Sequence, residues 1–295
     1  MSTSSDFMSY FGSQPTAFTP IPDRERIIAS VDAKQNEGKT HFAGTIPDGP
    51  RRGKDGVMRE GVLYQCFDKK SLTTIEKFRN GQLARKKIAV KDYSYQFPAG
   101  IQGTCGFGVA CTPACQVCQL RAKIANEALV AMKEDFYMAV KTARGIVWDH
   151  GAAPWETIRF ARYGRNASIP PKNYGDLNKE FEEMLDRVYE SDCSLILLHR
   201  LGDEYEDVEK ANARGEMKQS SEKTGRMVRK GAYSHLGFKV QAEVQLRFDR
   251  ENKYGVGTIT TCQRDMTLCN KEIPRFDFFA LASTIAPSVD PGAWL

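Results

Sequence analysis

Gly38-Lys39-Thr40 stands a short turn beyond the apolar run Ile27-Ile28-Ala29-Ser30-Val31. A glycine, a lysine and a hydroxyl in that order are what a chain needs to hold a phosphate. In the pattern G-x-x-x-x-G-K-[ST], a strand enters a turn whose backbone N–H groups wrap phosphate oxygens at a helix N-terminus. Gly38 would let the backbone approach, Lys39 would reach the β- and γ-phosphates, and the Thr40 hydroxyl would bind Mg²⁺. Ala33 occupies the place of the pattern's first glycine. Glycine–lysine pairs also occur in ordinary turns, so the reading needs a second element. Gly145-Ile146-Val147-Trp148-Asp149-His150 supplies it, a short apolar run ending in an acid. Such a run holds Mg²⁺ from the adjacent parallel strand in phosphate-binding enzymes, which makes Asp149 the candidate. A buried strand ending in a turn aspartate would look the same. The two signals together, in this order, favour a nucleotide with its Mg²⁺.

Cys105, Cys111, Cys115 and Cys118 have the spacing C-x₅-C-x₃-C-x₂-C. Four thiolates so close in sequence can form a tetrahedral zinc site, and the ion would organise a Gly/Pro segment with no core of its own. An iron–sulfur cluster takes the same ligand set, and unliganded loop thiols are the plain alternative. Cys66 and Cys193 sit beside apolar strands and belong to the core, while Cys262 and Cys269 lie too far along to join the four.

Between Lys210 and His235 the chain carries Lys218, Lys223, Arg226, Arg229 and Lys230 with Gly215, Gly225 and Gly231 among them. Cations neutralise nucleic-acid phosphates and glycines let a chain follow a strand, so a mobile basic loop contacting DNA is expected here. Glu206, Asp207, Glu209, Glu216 and Glu222 dilute its charge, and a solvated surface loop is the competing reading.

These residues need a scaffold. The 295 residues, 41% hydrophobic and 27% charged, suit a large α/β domain, and no apolar run approaches membrane-spanning length. A net charge of +5 permits a nucleic-acid partner without requiring one. Eight cysteines with no signal peptide point to a cytoplasmic chain of thiols or metal ligands. Strands are expected at 27–31, 62–67, 87–90, 145–149 and 194–199, with helices from Thr40 to Pro47 and over 71–80, 119–142, 155–163 and 177–189. Leu120, Ile124, Ala128, Ala131, Phe136 and Val140 are the expected buried face of the longest helix. Residues 48–56 read as a polar loop, and a hairpin turns around Asn252-Lys253-Tyr254-Gly255. The order predicts a mainly parallel, doubly wound sheet with a C-terminal antiparallel hairpin. Residues 1–23 read as a flexible arm, 24–282 as the core, 98–120 as a Cys-rich insertion and 283–295 as a tail.

At this point the chain resembles phage-encoded P-loop ATPases of the RecA-like class, including the Sak-type single-strand annealing proteins. The match rests on Gly38-Lys39-Thr40-His41-Phe42-Ala43, on Phe67-Asp68, on Ile146–Asp149 with Trp155-Glu156, on Tyr174–Phe181 and on Leu195–Tyr205. The resemblance implies a RecA-like ATPase core with ATP and Mg²⁺ at residues 38–41 and Asp149. It implies a water-orienting acid at Asp68, with Glu156 the alternative, and a γ-phosphate-sensing His199 on the strand beside that of Asp149. It further implies single-stranded DNA at the basic segment and a homo-oligomer with nucleotide at subunit interfaces, where Arg247, Arg250 and Arg264 would reach a neighbour's phosphates. A phage recombination protein that anneals or exchanges strands in the bacterial host's cytoplasm, alongside a single-strand binding protein, is the implied role. A degenerate protein that binds without turnover and a motor-type ATPase are the other readings. Members of the class lack a cysteine cluster like that at 105–118, so this segment would be an added module.

Overall fold

The computed structural model describes residues 26–67, 72–76, 86–94, 115–164, 174–211, 217–229 and 236–294. In chain order the elements are β1 (Ile28–Ala33), α1 (Lys39–Ala43), β2 (Arg51–Arg52), β3 (Met58–Arg59), β4 (Val62–Cys66), β5 (Ile88–Asp92), α2 (Gln116–Thr142) and β6 (Gly145–Asp149). Then follow α3 (Ala153–Tyr163), α4 (Tyr174–Tyr189), β7 (Ser194–Ala211), β8 (Met217–Arg229), β9 (Ala242–Asp249), β10 (Tyr254–Cys262), β11 (Glu272–Pro274) and α5 (Phe278–Ile285). No described helix is long and apolar enough to cross a membrane.

The main sheet runs β11-β10-β9-β1-β7-β6-β4-β5. From β9 to β5 every neighbouring pair is parallel, and β10 and β11 add antiparallel pairings at one edge. This is the expected mixed α/β architecture with its C-terminal hairpin. The central strands are apolar at nearly every position because both faces are covered. Ala29, Val31, Ile196 and Leu198 face one core together with α1 and α5. Ile28, Leu195 and Leu197 face the other with α2, α3 and α4.

The longest helix buries Cys118, Arg121, Ala125, Leu129, Met132, Phe136 and Val140. That stripe lies one residue away from the expected one until the two converge at Phe136, and Leu120 is exposed. The cause is Arg121, a charged residue at a core position, which breaks the apolar pattern that a sequence reading follows. Cutting Leu129, Met132 or Phe136 to alanine is worth about 2–5 kcal/mol each.

Three further expectations are corrected. Within the expected polar loop 48–56, Arg51 and Arg52 pair with Arg59 and Met58 in a small hairpin. Arg59 clamps it through two bonds to Asp55, at 2.8 and 2.6 Å. The stretch expected to be a mobile loop is instead a long antiparallel ribbon, in which β7 from Leu201 to Ala211 pairs with β8. Residues set apart as a tail pack inward: Ile285, Ala286, Val289, Ala293 and Trp294 are buried in the α1-side core.

Gly164 closes α3 in the left-handed conformation, φ 60°. A Cβ there would sit 1.7 Å from the Cys118 carbonyl oxygen of α2. Gly164→Ala is therefore expected to destabilise the protein by about 3 kcal/mol, through backbone strain and separation of the two helices. Chemical denaturation checks this, and a loss below 1 kcal/mol would contradict the packing.

Candidate functional site

The C-terminal ends of β1, β6 and β4 and the His199 position of β7 lie along one edge of the sheet. In register, Asp32 lies beside His199, Leu198 beside Asp149, and Asp149 beside Cys66. Asp149 was expected on the strand adjacent to the phosphate-loop strand. It is one strand further, because β7 runs between them and contributes His199. Nor does β7 stop at His199, since it continues into the ribbon.

The loop from β1 to α1 turns through two left-handed residues, Asn36 at φ 65° and Gly38 at φ 90°. Gly38 caps α1, and its carbonyl accepts the Phe42 N–H. The helix is short because Pro47 prevents continuation. Lys39 folds back over the loop, donating to the carbonyls of Ala33 at 3.1 Å and Lys34 at 3.0 Å. Burial lowers its pKa, while the Asp149 charge opposes that shift. Among the described residues it has no ion pair, so its ammonium can exchange two neutral carbonyls for an anion. Ala33, where the pattern has glycine, is fully buried in the α1-side core. His41 is exposed on α1.

Asp149 is held by a residue the sequence reading did not single out. The Tyr64 hydroxyl, buried on β4, donates a hydrogen bond to an Asp149 carboxylate oxygen. Burial, and then the Asp149 charge and hydrogen bond, hold the phenol well above its ordinary pKa. Asp149 itself is 7% exposed and opens on the loop edge. The sequence offers one signal, a polar-tipped aromatic inside a wholly buried strand.

His199 is 1% exposed, and neither ring nitrogen has a partner among the described residues. Burial first, and then the nearby charges of Arg229, His150 and Lys39, push its pKa well below the usual histidine value. The ring is therefore neutral, with a donor and an acceptor uncommitted. Gly151 makes room for it: a Cβ there would lie 2.6 Å from Nε2. The Gly151 N–H donates to the Leu198 carbonyl and pins the loop after β6 against β7. Glu156 sits half-buried in the first turn of α3, beyond this loop. Asp68 lies outside the described residues.

The basic residues separate. Arg229 ends the ribbon at its base, where it makes a two-bond contact with Asp32 at 2.9 and 2.6 Å and a third bond to Glu243 at 2.8 Å. Burial works against its charge, but the two carboxylates outweigh it and raise its pKa. This cation fastens the ribbon to β1 and β9 and is not the exposed DNA contact expected of it. Lys223 and Arg226 are exposed on the ribbon. Lys223 pairs with Asp203 at 2.6 Å and lies 6.0 Å from the ring centre of Tyr205, an exposed aromatic. The backbone of Lys218 belongs to β8, and Lys230 lies outside the described residues.

Arg247 and Arg250 stand at the loop edge, at the far end of β9, and Arg247 pairs with Glu272 at 3.2 Å. Arg264 follows Cys262, which pairs with Ala242 at the start of β9. It therefore lies at the opposite edge of the sheet and does not join the other two. Beside Gly38 opens a cavity of about 280 Å³ lined by Phe42, Phe248, Tyr254, Arg275 and Phe276 among others. Phe42 and Phe276 stack at 4.6 Å in its wall.

Cys105 and Cys111 lie outside the described residues. Cys115 caps α2 and Cys118 is buried in its first turn. Among the described residues no three His, Cys, Asp or Glu side chains are grouped to hold a metal ion.

No protein-family model and no curated protein matches this chain. Among solved structures, the crystal structure of the RadB recombinase is similar over 80% of this chain and 81% of that chain, at 11% identity and a TM-score of 0.36. At that score the likeness carries no argument about the site.

Proposed function

We propose that the protein binds ATP with Mg²⁺ at the β1–α1 loop and couples it to single-stranded DNA on the β7–β8 ribbon, as a recombination-type ATPase. The observation that carries this reading is the convergence of Lys39, Thr40 and Asp149 at one sheet edge, from elements far apart in sequence. The Lys39 ammonium and the loop N–H groups would hold the phosphates. Thr40 and Asp149 would hold Mg²⁺, which neutralises charge developing on the transferred phosphoryl group. An oxygen-ligand pair of hydroxyl and carboxylate fits that ion. The cavity beside Gly38 would take the nucleobase between aromatic walls.

His199, whose ring nitrogens have no partner among the described residues, would meet the terminal phosphate, and Glu156 or Asp68 would orient the attacking water. Arg247 and Arg250 would reach a neighbouring subunit's nucleotide in a homo-oligomer. Zinc, or an iron–sulfur cluster, on Cys105, Cys111, Cys115 and Cys118 is the proposal for the 98–120 segment. Binding without turnover is the second reading, favoured by Ala33, whose side chain is committed to the core. An ATPase assay separates the two: turnover stimulated by single-stranded DNA supports the first, and nucleotide binding with no turnover in either condition supports the second.

On the ribbon, Lys223→Ala with Arg226→Ala is expected to flatten the dependence of log affinity for single-stranded DNA on log salt. Each lost phosphate contact is worth a slope of about 0.7, so the change should approach about 1.4. An unaltered slope would place the DNA elsewhere.

A further inference from the structure

We propose that Arg229 is a positioning residue for the phosphate loop, holding the end of β1 through Asp32 so that the loop keeps its shape when phosphate takes Lys39. The inference rests on the nucleotide reading above. Both neighbours of β1 pair with it as far as Asp32, which lies in register with Gln245 of β9 and His199 of β7. At Ala33, among the described residues, the β7 pairing alone continues, to Arg200. One residue later β7 turns to β8, with Leu201 beside Arg229. The strand therefore loses a ladder at the residue whose carbonyl anchors Lys39.

The Arg229 side chain supplies what the ladder no longer does. Its Nε donates to one Asp32 oxygen at 2.9 Å and its Nη2 to the other at 2.6 Å. Such a planar fork fixes orientation as well as distance. The Ser30 hydroxyl donates to the first of these oxygens at 3.0 Å. The same Nη2 donates to Glu243 at 2.8 Å, and the second Glu243 oxygen accepts the Thr261 hydroxyl of β10 at 3.0 Å. Asp32 is thus tied to β8 directly and to β9 and β10 through the shared guanidinium. The Arg229 and Asp32 side chains are 16% and 13% exposed, so salt screens the contact little. Lys39 steadies the same corner through its bonds to the Ala33 and Lys34 carbonyls. Phosphate would draw the ammonium away from both. The clamp on Asp32 then keeps the adjoining backbone in place, and a site held in its productive geometry makes its full set of bonds to the ligand.

Arg229→Lys keeps the charge and removes the fork. A fluorescent ATP analogue titrated with Mg²⁺ into the full chain is expected to bind this variant about tenfold more weakly. Glu243→Gln, which leaves the fork on Asp32 intact, should stay within about twofold of wild type. In a Lys39→Ala background, Arg229→Lys should add less than about twofold, because the clamp acts through the loop that Lys39 completes. A merely structural effect would add in full. Unchanged affinity in folded Arg229→Lys, an equal loss in Glu243→Gln, or a full addition in the Lys39→Ala background overturns the inference. Should Arg229→Lys fail to fold, Asp32→Asn carries the test, with Arg229 still bonded to Glu243. Removing an acid beside an anion site tightens binding by charge alone, so a fall in affinity isolates the geometry. Equal or tighter binding by that variant overturns the inference. A wild-type chain that does not bind the analogue overturns the nucleotide reading and this inference with it.

Discussion

Lys39→Ala is expected to lower nucleotide affinity at least a hundredfold while leaving the melting temperature nearly unchanged. The ammonium makes two bonds to neutral backbone carbonyls of its own loop. It touches no buried carboxylate among the described residues, so its loss strands no charge. Bound phosphate would instead receive charge-assisted bonds, each worth about 1.5–3 kcal/mol. Two such bonds exceed a hundredfold in affinity. Equilibrium binding of a labelled nucleotide, beside a thermal melt, measures both halves. Wild-type affinity in the variant would remove Lys39 from the site.

Asp149→Asn should spare part of the nucleotide affinity and reduce Mg²⁺-dependent turnover about a hundredfold or more. The amide is close to the size of the carboxylate and can still accept the Tyr64 hydroxyl, so the buried network survives. What is lost is the negative charge facing the cation. Steady-state kinetics across a Mg²⁺ series would show it as a fall in kcat that added Mg²⁺ does not restore. Unchanged kcat would leave Asp149 a structural strand end.

The parts of this site legible in the sequence are local ones. Gly38, Lys39 and Thr40 are consecutive, and an apolar run ending in Asp149 reads as a strand whichever neighbour it pairs with. What the sequence does not carry is strand order. Periodicity places residues on a strand but says nothing about the strand beside it, and so the insertion of β7 between β1 and β6 was not foreseen. Tyr64 was passed over for the same reason. Its meaning comes from being diagonal to Asp149 and bonded to it, a relation between two strands far apart in sequence.

The ribbon misled a composition-based reading. Charged residues on both β7 and β8 mask a period of two when neither face of an exposed hairpin is consistently apolar. Arg229 looked like its neighbours in the basic stretch, yet register carries it to Asp32 and Glu243. Arg121 shows the converse, where a charge in the core hid the true buried face of α2.

The central claim is that the loop from Asn36 to Thr40 holds phosphate, and competition binding tests it most directly. With a fluorescent ATP analogue bound in the presence of Mg²⁺, inorganic triphosphate should displace it, and adenosine at the same concentration should displace far less. Displacement by adenosine but not by triphosphate would show that the ligand is held by its base alone, contradicting a phosphate site at Gly38, Lys39 and Thr40.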